Sequence, residues 1–499
     1  MAKEMFERLS VDAGSLESLG LYRLVDVRNS SVFHGWSKDT CSDCVLDNDT
    51  GHLPGCMLFS HSWICSTSAS DQQHRARQRA ELAGLDSSEQ PIALIGHGLD
   101  CDRCHTDIAC STGKWLVDTF LLPISDIFIA VCPTLATDCR SNHGNECGRE
   151  ESTVRNSRYL PALHRLPESD IFITPEYLAT RIGHDGQPVH VVHVGWEDDG
   201  VFLAKHIPTA HYVDLGTWED VVTMNFLSPD CFAVRTNPAV DASRECSGSA
   251  FARLLKCPRP KIVLYDDGVG IAASRLGAML WSLGFTNLSI LSGGLRGWCR
   301  AGFGTDQLPK GSLVSVPLLE HGTDVDAQLS EHRDNGDVFV DMEFVQQVTL
   351  GQHENAVLVS CCSWREYIGC VSGYKYISRK GRIPTARWAL SGAGKDDLWH
   401  WHDELGVATD WKHLARLWAV AGITHSKHVI LYCGTGWRCS AAWFYLRALG
   451  YQHVSIYDGG WLEWSSTPSN KVAQDVPVSE WFTALQNVLP SSLFDLECG

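Results

Sequence analysis

The segment of this 499-residue chain best equipped for covalent chemistry is Cys433-Gly434-Thr435-Gly436-Trp437-Arg438. A thiolate is a strong nucleophile, and glycines on both sides of Thr435 free the backbone to curl so that successive N–H groups point at one place. The run before the loop, His428-Val429-Ile430-Leu431-Tyr432, reads as a buried parallel strand. The stretch from Trp437 or Arg438 to Leu449 reads as a helix with a buried stripe at Ala442, Leu446 and Leu449. A thiol between strand end and helix start sits where open α/β sheets bind ligands, and the positive helix end favours its thiolate. Arg438 supplies a full positive charge to an anionic substrate.

Other chemistry-bearing residues are weaker. The pairs Cys41/Cys44 and Cys101/Cys104 have Cys-x-x-Cys spacing, but their separation is wide for a zinc ribbon and they read as unrelated loop thiols. Cys439, on the first helical turn after Cys433, reads as a packing residue and, alternatively, as a resolving thiol that closes a disulfide with Cys433. Cys361 and Cys362 are adjacent on an expected strand, so at most one faces the loop. His400-Trp401-His402 lies in an aromatic-rich stretch after Asp396 and Asp397 and reads as packing at a helix start. No metal site is expected.

The elements that must position the loop occur as a repeat. Lys261-Ile262-Val263-Leu264-Tyr265-Asp266 matches His428-Val429-Ile430-Leu431-Tyr432-Cys433. Each is followed by a Gly-containing loop, a helix closing on Gly284 or Gly450, a strand, a Gly-Gly pair (Gly293-Gly294, Gly459-Gly460) and a tryptophan, Trp298 or Trp464. That order is a βαβ unit of a parallel sheet. Upstream lie the turns His206-Ile207-Pro208-Thr209-Ala210 and Arg382-Ile383-Pro384-Thr385-Ala386. A fainter copy runs through Leu24-Val25-Asp26-Val27-Arg28, Gly51-His52-Leu53-Pro54-Gly55 and Ile92-Ala93-Leu94-Ile95-Gly96. The expected organisation is three α/β modules, at 1–155, 156–312 and 313–475, with a C-terminal tail at 476–499. The polar stretch 137–158 and the stretch Pro309 to Ser315 are expected linkers.

Composition bounds the partners. The 44% hydrophobic and 20% charged fractions are those of a globular protein. A formal charge of -18 argues against a general nucleic-acid or anionic-membrane binder, which needs a basic surface. The N-terminus carries acidic residues and no signal-length apolar core, and no apolar run approaches the length of a membrane span, so a cytoplasmic protein is expected. In such a chain the 20 cysteines read as thiols.

Together with the strand before it and Asp458-Gly459-Gly460-Trp461-x-x-Trp464 after it, the six-residue loop resembles the rhodanese superfamily. Ser363-Trp364-Arg365-Glu366-Tyr367-Ile368-Gly369, Ser372-Gly373-Tyr374 and Lys380-Gly381-Arg382-Ile383-Pro384 resemble the bacterial three-module thiosulfate sulfurtransferases. The resemblance implies an α/β fold of three tandem rhodanese-like modules, each a mainly parallel sheet flanked by helices. The last module would be catalytic, since Asp266 and Gly96 stand where the earlier modules would carry the cysteine. It implies that Cys433 is the catalytic nucleophile, with Gly434, Thr435, Gly436, Trp437, Arg438 and Arg382 binding substrate, and no cofactor. Sulfane sulfur would pass from a small anionic donor, thiosulfate, through a Cys433 persulfide to cyanide, a thiol or a partner protein. Two alternatives are a 3-mercaptopyruvate sulfurtransferase, whose loops usually read Cys-Gly-Ser/Ala-Gly-Val-Thr, and a persulfide carrier that docks on a partner enzyme. Phosphatase chemistry is disfavoured, because the related phosphatases use a loop one residue longer. One departure concerns the strand that usually carries Asp-x-Arg. Here Ser360 and Cys362 stand in those places, which predicts that Glu366 lacks an arginine partner.

Overall fold

The computed structural model describes residues 170–182, 189–227, 233–236, 261–317, 338–392 and 411–489, with N-terminal stretches 7–10, 22–27, 57–59, 91–95, 116–120 and 127–131 and isolated positions besides. Contacts divide the chain into two compact units, residues 1–166 with 486–495 and residues 167–485 with 496–499.

In the first unit, β1 (Glu7–Ser10), β2 (Arg23–Asp26), β3 (Met57–Leu58), β4 (Ile92–Ile95) and β5 (Ile127–Val131) form a parallel sheet in the order β1-β5-β4-β2-β3. Val25, Leu58, Phe59, Leu94 and Ile127 form its core. The strands expected near Leu24 and Ile92 are β2 and β4. The turn at 51–55, Gly96, both Cys-x-x-Cys pairs, the linker at 137–158, Asp396, Asp397 and His400 lie outside the described residues.

The second unit holds two sheets. The first runs β12-β9-β8-β7-β10-β11-β6, from β6 (Phe172–Ile173), β7 (Val189–Gly195), β8 (His211–Asp214), β9 (Ala233–Thr236), β10 (Lys261–Tyr265), β11 (Leu288–Leu291) and β12 (Val314–Pro317). It is parallel except where β9 meets β8 and β12. The expected linker from Pro309 to Ser315 therefore ends inside a strand, because β12 finds a partner edge in β9. The second sheet is all parallel, in the order β13-β17-β16-β14-β15, from β13 (Phe339–Val340), β14 (Ala356–Ser360), β15 (Arg387–Trp388), β16 (His428–Tyr432) and β17 (Val454–Tyr457).

The repeat is reproduced in hydrogen bonds. The hydroxyls of Tyr265 and Tyr432, at the ends of β10 and β16, accept the N–H groups of Ile207 and Ile383, each at 3.1 Å. Thr209 and Thr385 share a φ of 69° in the turns that follow. The Gly-Gly pairs have one physical reason. The N–H groups of Leu295 and Trp461 donate to the carbonyls of Asp266 and Cys433 at 2.9 and 2.7 Å. A Cβ on Gly294 or Gly460 would stand 2.6 Å from those same carbonyl oxygens, and both glycines have a φ of 53°. Glycine lets the later helix press against the loop.

Six helices matter to the site: α1 (Ile271–Ser282), α2 (Gly294–Arg300), α3 (Trp364–Tyr367), α4 (Trp437–Ala448), α5 (Gly460–Ser466) and α6 (Glu480–Gln486). The helices α1 and α4 pack against each other, with the Trp281 and Trp443 rings 5.2 Å apart and Gly277 against Phe444. This changes the expected stripe on α4. Every residue from Arg438 to Leu446 is buried, because α1 covers the face that a lone amphipathic helix would leave to water. The expected tail contains α6, whose Phe482 is buried and stacks on Trp364 at 5.5 Å. Trp401 is buried and donates to the carbonyls of Ala389 and Leu390 at 3.1 Å, a packing role. No described helix is long and apolar enough to cross a membrane.

Candidate active site

Cys433 is the first residue after β16 and has no exposed surface. Burial pushes its thiol up. The hydrogen-bonding Cys439 thiol, the Arg438 charge and the backbone N–H groups of Cys439 and Thr435 pull it down further, to about 5. Cys439 itself is pushed well up by burial and by Cys433, so it keeps its proton and donates. Its S–H also donates to the Gly436 carbonyl at 3.1 Å, so one proton is shared between that oxygen and the Cys433 sulfur. The geometry therefore gives Cys439 a polar task that its reading as a packing residue did not contain.

The loop glycines are needed for space. A Cβ on Gly434 would come within 2.9 Å of Cζ and 3.0 Å of the hydroxyl of Tyr374. Gly436 has a φ of 84°, and a Cβ there would lie 2.8 Å from Asp458 Oδ1 and overlap the Arg275 guanidinium. Thr435 is buried between them, and Trp437 begins α4 half-buried. At the matching place in the preceding sheet, the Asp266 carboxylate accepts the N–H groups of Gly268 (3.0 Å), Gly270 (2.9 Å) and Ala273 (3.1 Å). That loop is one residue longer, since its helix starts at Ile271. Its anion nest is filled by its own side chain.

The expectation that Glu366 lacks an arginine partner is overturned. Arg438 donates from Nη1 to Glu366 Oε2 at 2.8 Å and from Nη2 to Oε1 at 2.9 Å, a bidentate pair with both side chains buried. Glu366 also accepts from the Ser363 hydroxyl (2.6 Å) and N–H (2.9 Å), closing a capping box on α3. Burial alone would raise the Glu366 carboxyl, but Arg438 and Ser363 hold it below its ordinary value. The arginine missing from the strand is thus supplied by the loop. Arg438 Nη2 also reaches the Tyr374 hydroxyl at 3.4 Å. Its Nε is buried with no hydrogen-bond partner among the described residues.

Arg382 is placed differently from the other expected contacts. It is buried, its Nη1 donates to the carbonyls of Tyr367 (3.2 Å) and Asp475 (2.7 Å), and its guanidinium lies over the Tyr367 ring at 4.6 Å. These bonds tie the Ile383-Pro384 turn to α3. Cys361 and Cys362 follow the end of β14 at Ser360, so strand alternation does not separate them. Both are buried and both are raised, first by burial and further by neighbours that include Cys433. Cys299, Cys361, Cys362, Cys433 and Cys439 are free thiols, whereas Cys370 is disulfide-bonded, an exception to the thiol reading.

Tyr374 entered the sequence reading only within the segment Ser372-Gly373-Tyr374, without a role, and three residues at the loop escaped it: Arg275, Glu219 and Trp196. Arg275 carried a readable signal, a lone cation inside the apolar helix Ile271-Ala272-Ala273-Ser274-Arg275-Leu276. The others carried none, because their roles come from contacts distant in sequence.

The rhodanese-like domain family profile matches residues 174–301 and 345–467. Over 467 residues, 90% of this chain and 88% of the relative, the chain is 27% identical to the thiosulfate sulfurtransferase YnjE of Escherichia coli K12. It is also 27% identical, over 59% of this chain and 95% of the relative, to the 3-mercaptopyruvate sulfurtransferase of Escherichia coli K12. The crystal structure of YnjE superposes with a TM-score of 0.68 at 24% identity, covering 96% of this chain and 98% of that one. An anaerobic ergothioneine biosynthesis enzyme from Chlorobium limicola, solved with trimethyl histidine, superposes with a TM-score of 0.67 at 23% identity, covering 95% and 100%.

Proposed function

This chain belongs to the rhodanese-like domain family, and on that premise we propose that it moves sulfane sulfur from thiosulfate to a thiophilic acceptor through a persulfide on Cys433. The observation that carries this reading is the environment of the Cys433 thiol, held near 5 despite full burial. A thiolate present at neutral pH attacks the outer sulfur of thiosulfate. The S–S bond of thiosulfate breaks, sulfite leaves with the electron pair, and Cys433 keeps the outer sulfur as a persulfide. Cyanide or a thiolate then attacks that sulfur and restores the Cys433 thiolate. The loop N–H groups and the spare Nε–H of Arg438 offset the negative charge in both steps. The third module, 313–475, is the catalytic one in this reading, since the modules at 1–155 and 156–312 carry Gly96 and Asp266 where it carries Cys433.

Intact-mass measurement after incubation with thiosulfate tests the proposal. The wild-type chain should gain the mass of one sulfur and lose it on addition of cyanide, with thiocyanate released, while Cys433→Ser should gain nothing. A sulfur adduct that survives the substitution would refute the assignment. A persulfide that forms on Cys433 but is not discharged by cyanide would favour the carrier role, with a protein as acceptor.

A second reading keeps the persulfide and changes the acceptor. Tyr374 favours it, since its ring lies against Gly434 and its hydroxyl beside Arg438, a phenol able to exchange a proton with a heteroaromatic acceptor. Trimethyl histidine, bound in one structural neighbour, belongs to that class. Discharge of the Cys433 persulfide by an imidazole, with sulfur appearing on the ring carbon, would select it over cyanide or thiol.

A further inference from the structure

The half of the second unit that carries Asp266 in place of a cysteine reaches into the Cys433 loop through one buried carboxylate. Glu219 lies in the turn after β8, where Leu227 N–H donates to the Trp218 carbonyl and Asp220 N–H to that of Asn225, both at 2.9 Å. It is 2% exposed. Its Oε1 accepts from Arg275 Nε at 2.6 Å, and its Oε2 accepts from the indole Nε1 of Trp437 at 3.2 Å. Arg275, on α1, spends its other donors on Asp458 and on the Met224 carbonyl (3.1 Å), and its guanidinium lies over the Phe226 ring at 3.8 Å. Trp437 and Asp458 belong to the Cys433 half, at the start of α4 and just after β17. The cluster fills the space that Gly436 leaves for want of a side chain.

The two carboxylate oxygens are each committed to one donor. If Glu219 loses its charge by protonation or by amidation, one oxygen position becomes a donor and one of the two N–H groups loses its acceptor. Arg275 is charged and held also by Asp458, so it keeps its oxygen and the indole is released. Trp437 is half-buried and meets Trp196 edge to face, with centroids 5.1 Å apart, so the two rings form a wall at the rim of the loop.

We infer that Glu219 is a positioning residue for the Cys433 reaction, fixing the Trp437 indole and with it the aromatic wall that a donor or acceptor passes. The inference rests on the reading of Cys433 given above. The groups facing the carboxyl are Arg275 from α1, Asp458 after β17 and Trp437 from α4. Burial raises the carboxyl to about 7, against the lowering effects of Arg275 and Trp437 and with a smaller raising effect of Asp458. Glu219 therefore holds Trp437 above that pH and lets it go below.

The test compares wild type, Glu219→Gln, Trp437→Phe and the double variant by steady-state turnover with thiosulfate and cyanide between pH 6 and 8. Persulfide formation is followed in parallel by intact mass. Wild-type kcat/KM should fall as pH drops through about 7. Both single variants should lie about tenfold lower and lose that inflection. The double variant should match the singles rather than multiply them, because both remove the same bond. All four should still gain one sulfur on Cys433. Unchanged kcat/KM with the inflection intact in Glu219→Gln would overturn the inference, as would losses that multiply. Failure of wild type to gain sulfur would refute the underlying reading instead.

Discussion

A thiol without exposed surface ordinarily stays protonated, because burial penalises the charged form. Cys433 escapes that outcome because the Cys439 S–H, the Arg438 charge and two backbone N–H groups face it at once. The alkylation rate of Cys433 should accordingly rise with pH through about 5 and level off above it, as measured by mass spectrometry of iodoacetamide adducts. Cys439→Ala should move that midpoint upward, and Cys439→Ser, which keeps a donor, should restore much of it. An unmoved midpoint in Cys439→Ala would mean that this hydrogen bond has no bearing on the thiolate. Cys433 was legible in the sequence because cysteine between a β-branched run and a Gly-x-Gly loop has few structural uses. The partner of Arg438 was not. Glu366 is 72 residues away, and only the approach of α3 to the loop shows that the two make one ion pair.

At the scale of elements, the loop depends on what glycine leaves out. Gly436 combines a positive φ with the closeness of Arg275 and Asp458, so a side chain there is both strained and crowded. Gly436→Ala should lower stability by about 1–3 kcal/mol in urea unfolding. It should also cut sulfur transfer more than the unfolded fraction explains, because the N–H groups of the loop are displaced. Activity loss that merely tracks unfolding would count against that. Strand, loop, helix and strand were readable from the 261–294 and 428–460 repeat, since buried parallel strands are apolar runs and helices close on glycine. Cys361 and Cys362 fall just past the strand on which they were expected, because a single sequence does not mark the residue at which a strand ends. The register from β14 to β16 ends with Ser360 opposite Tyr432, with one last bond from the Cys361 N–H to the Tyr432 carbonyl at 2.7 Å.

Within the second unit, each sheet keeps its own apolar cluster, and α1 and α4 pack the two halves together. Gly277 lies close enough to Phe444 that a Cβ would stand 2.8 Å from its Cζ. Gly277→Leu would overpack this seam and should cost about 1–3 kcal/mol. It should also lower the turnover of Cys433, because α4 carries its N-terminal end to the thiol. Retention of wild-type stability and turnover would show that the seam yields without moving α4. The sequence placed both helices but not their pairing. The apolar face of α1 and the nearly continuous burial of α4 become explicable only as each other's cover.

The sequence by itself determined the α/β class, the repeat and the one loop in which a cysteine is surrounded by the groups that activate it. These are local properties, set by side-chain periodicity, glycine dihedrals and residue type. Only the tertiary structure decided that Arg438 pairs with Glu366, that Asp266 fills the matching nest, and that Glu219 and Arg275 reach the Cys433 loop from the other half. The Asp266 nest is closed locally, but the Arg438, Glu219 and Arg275 pairings join residues tens to hundreds of positions apart, and no periodicity in a single chain encodes which buried charge meets which.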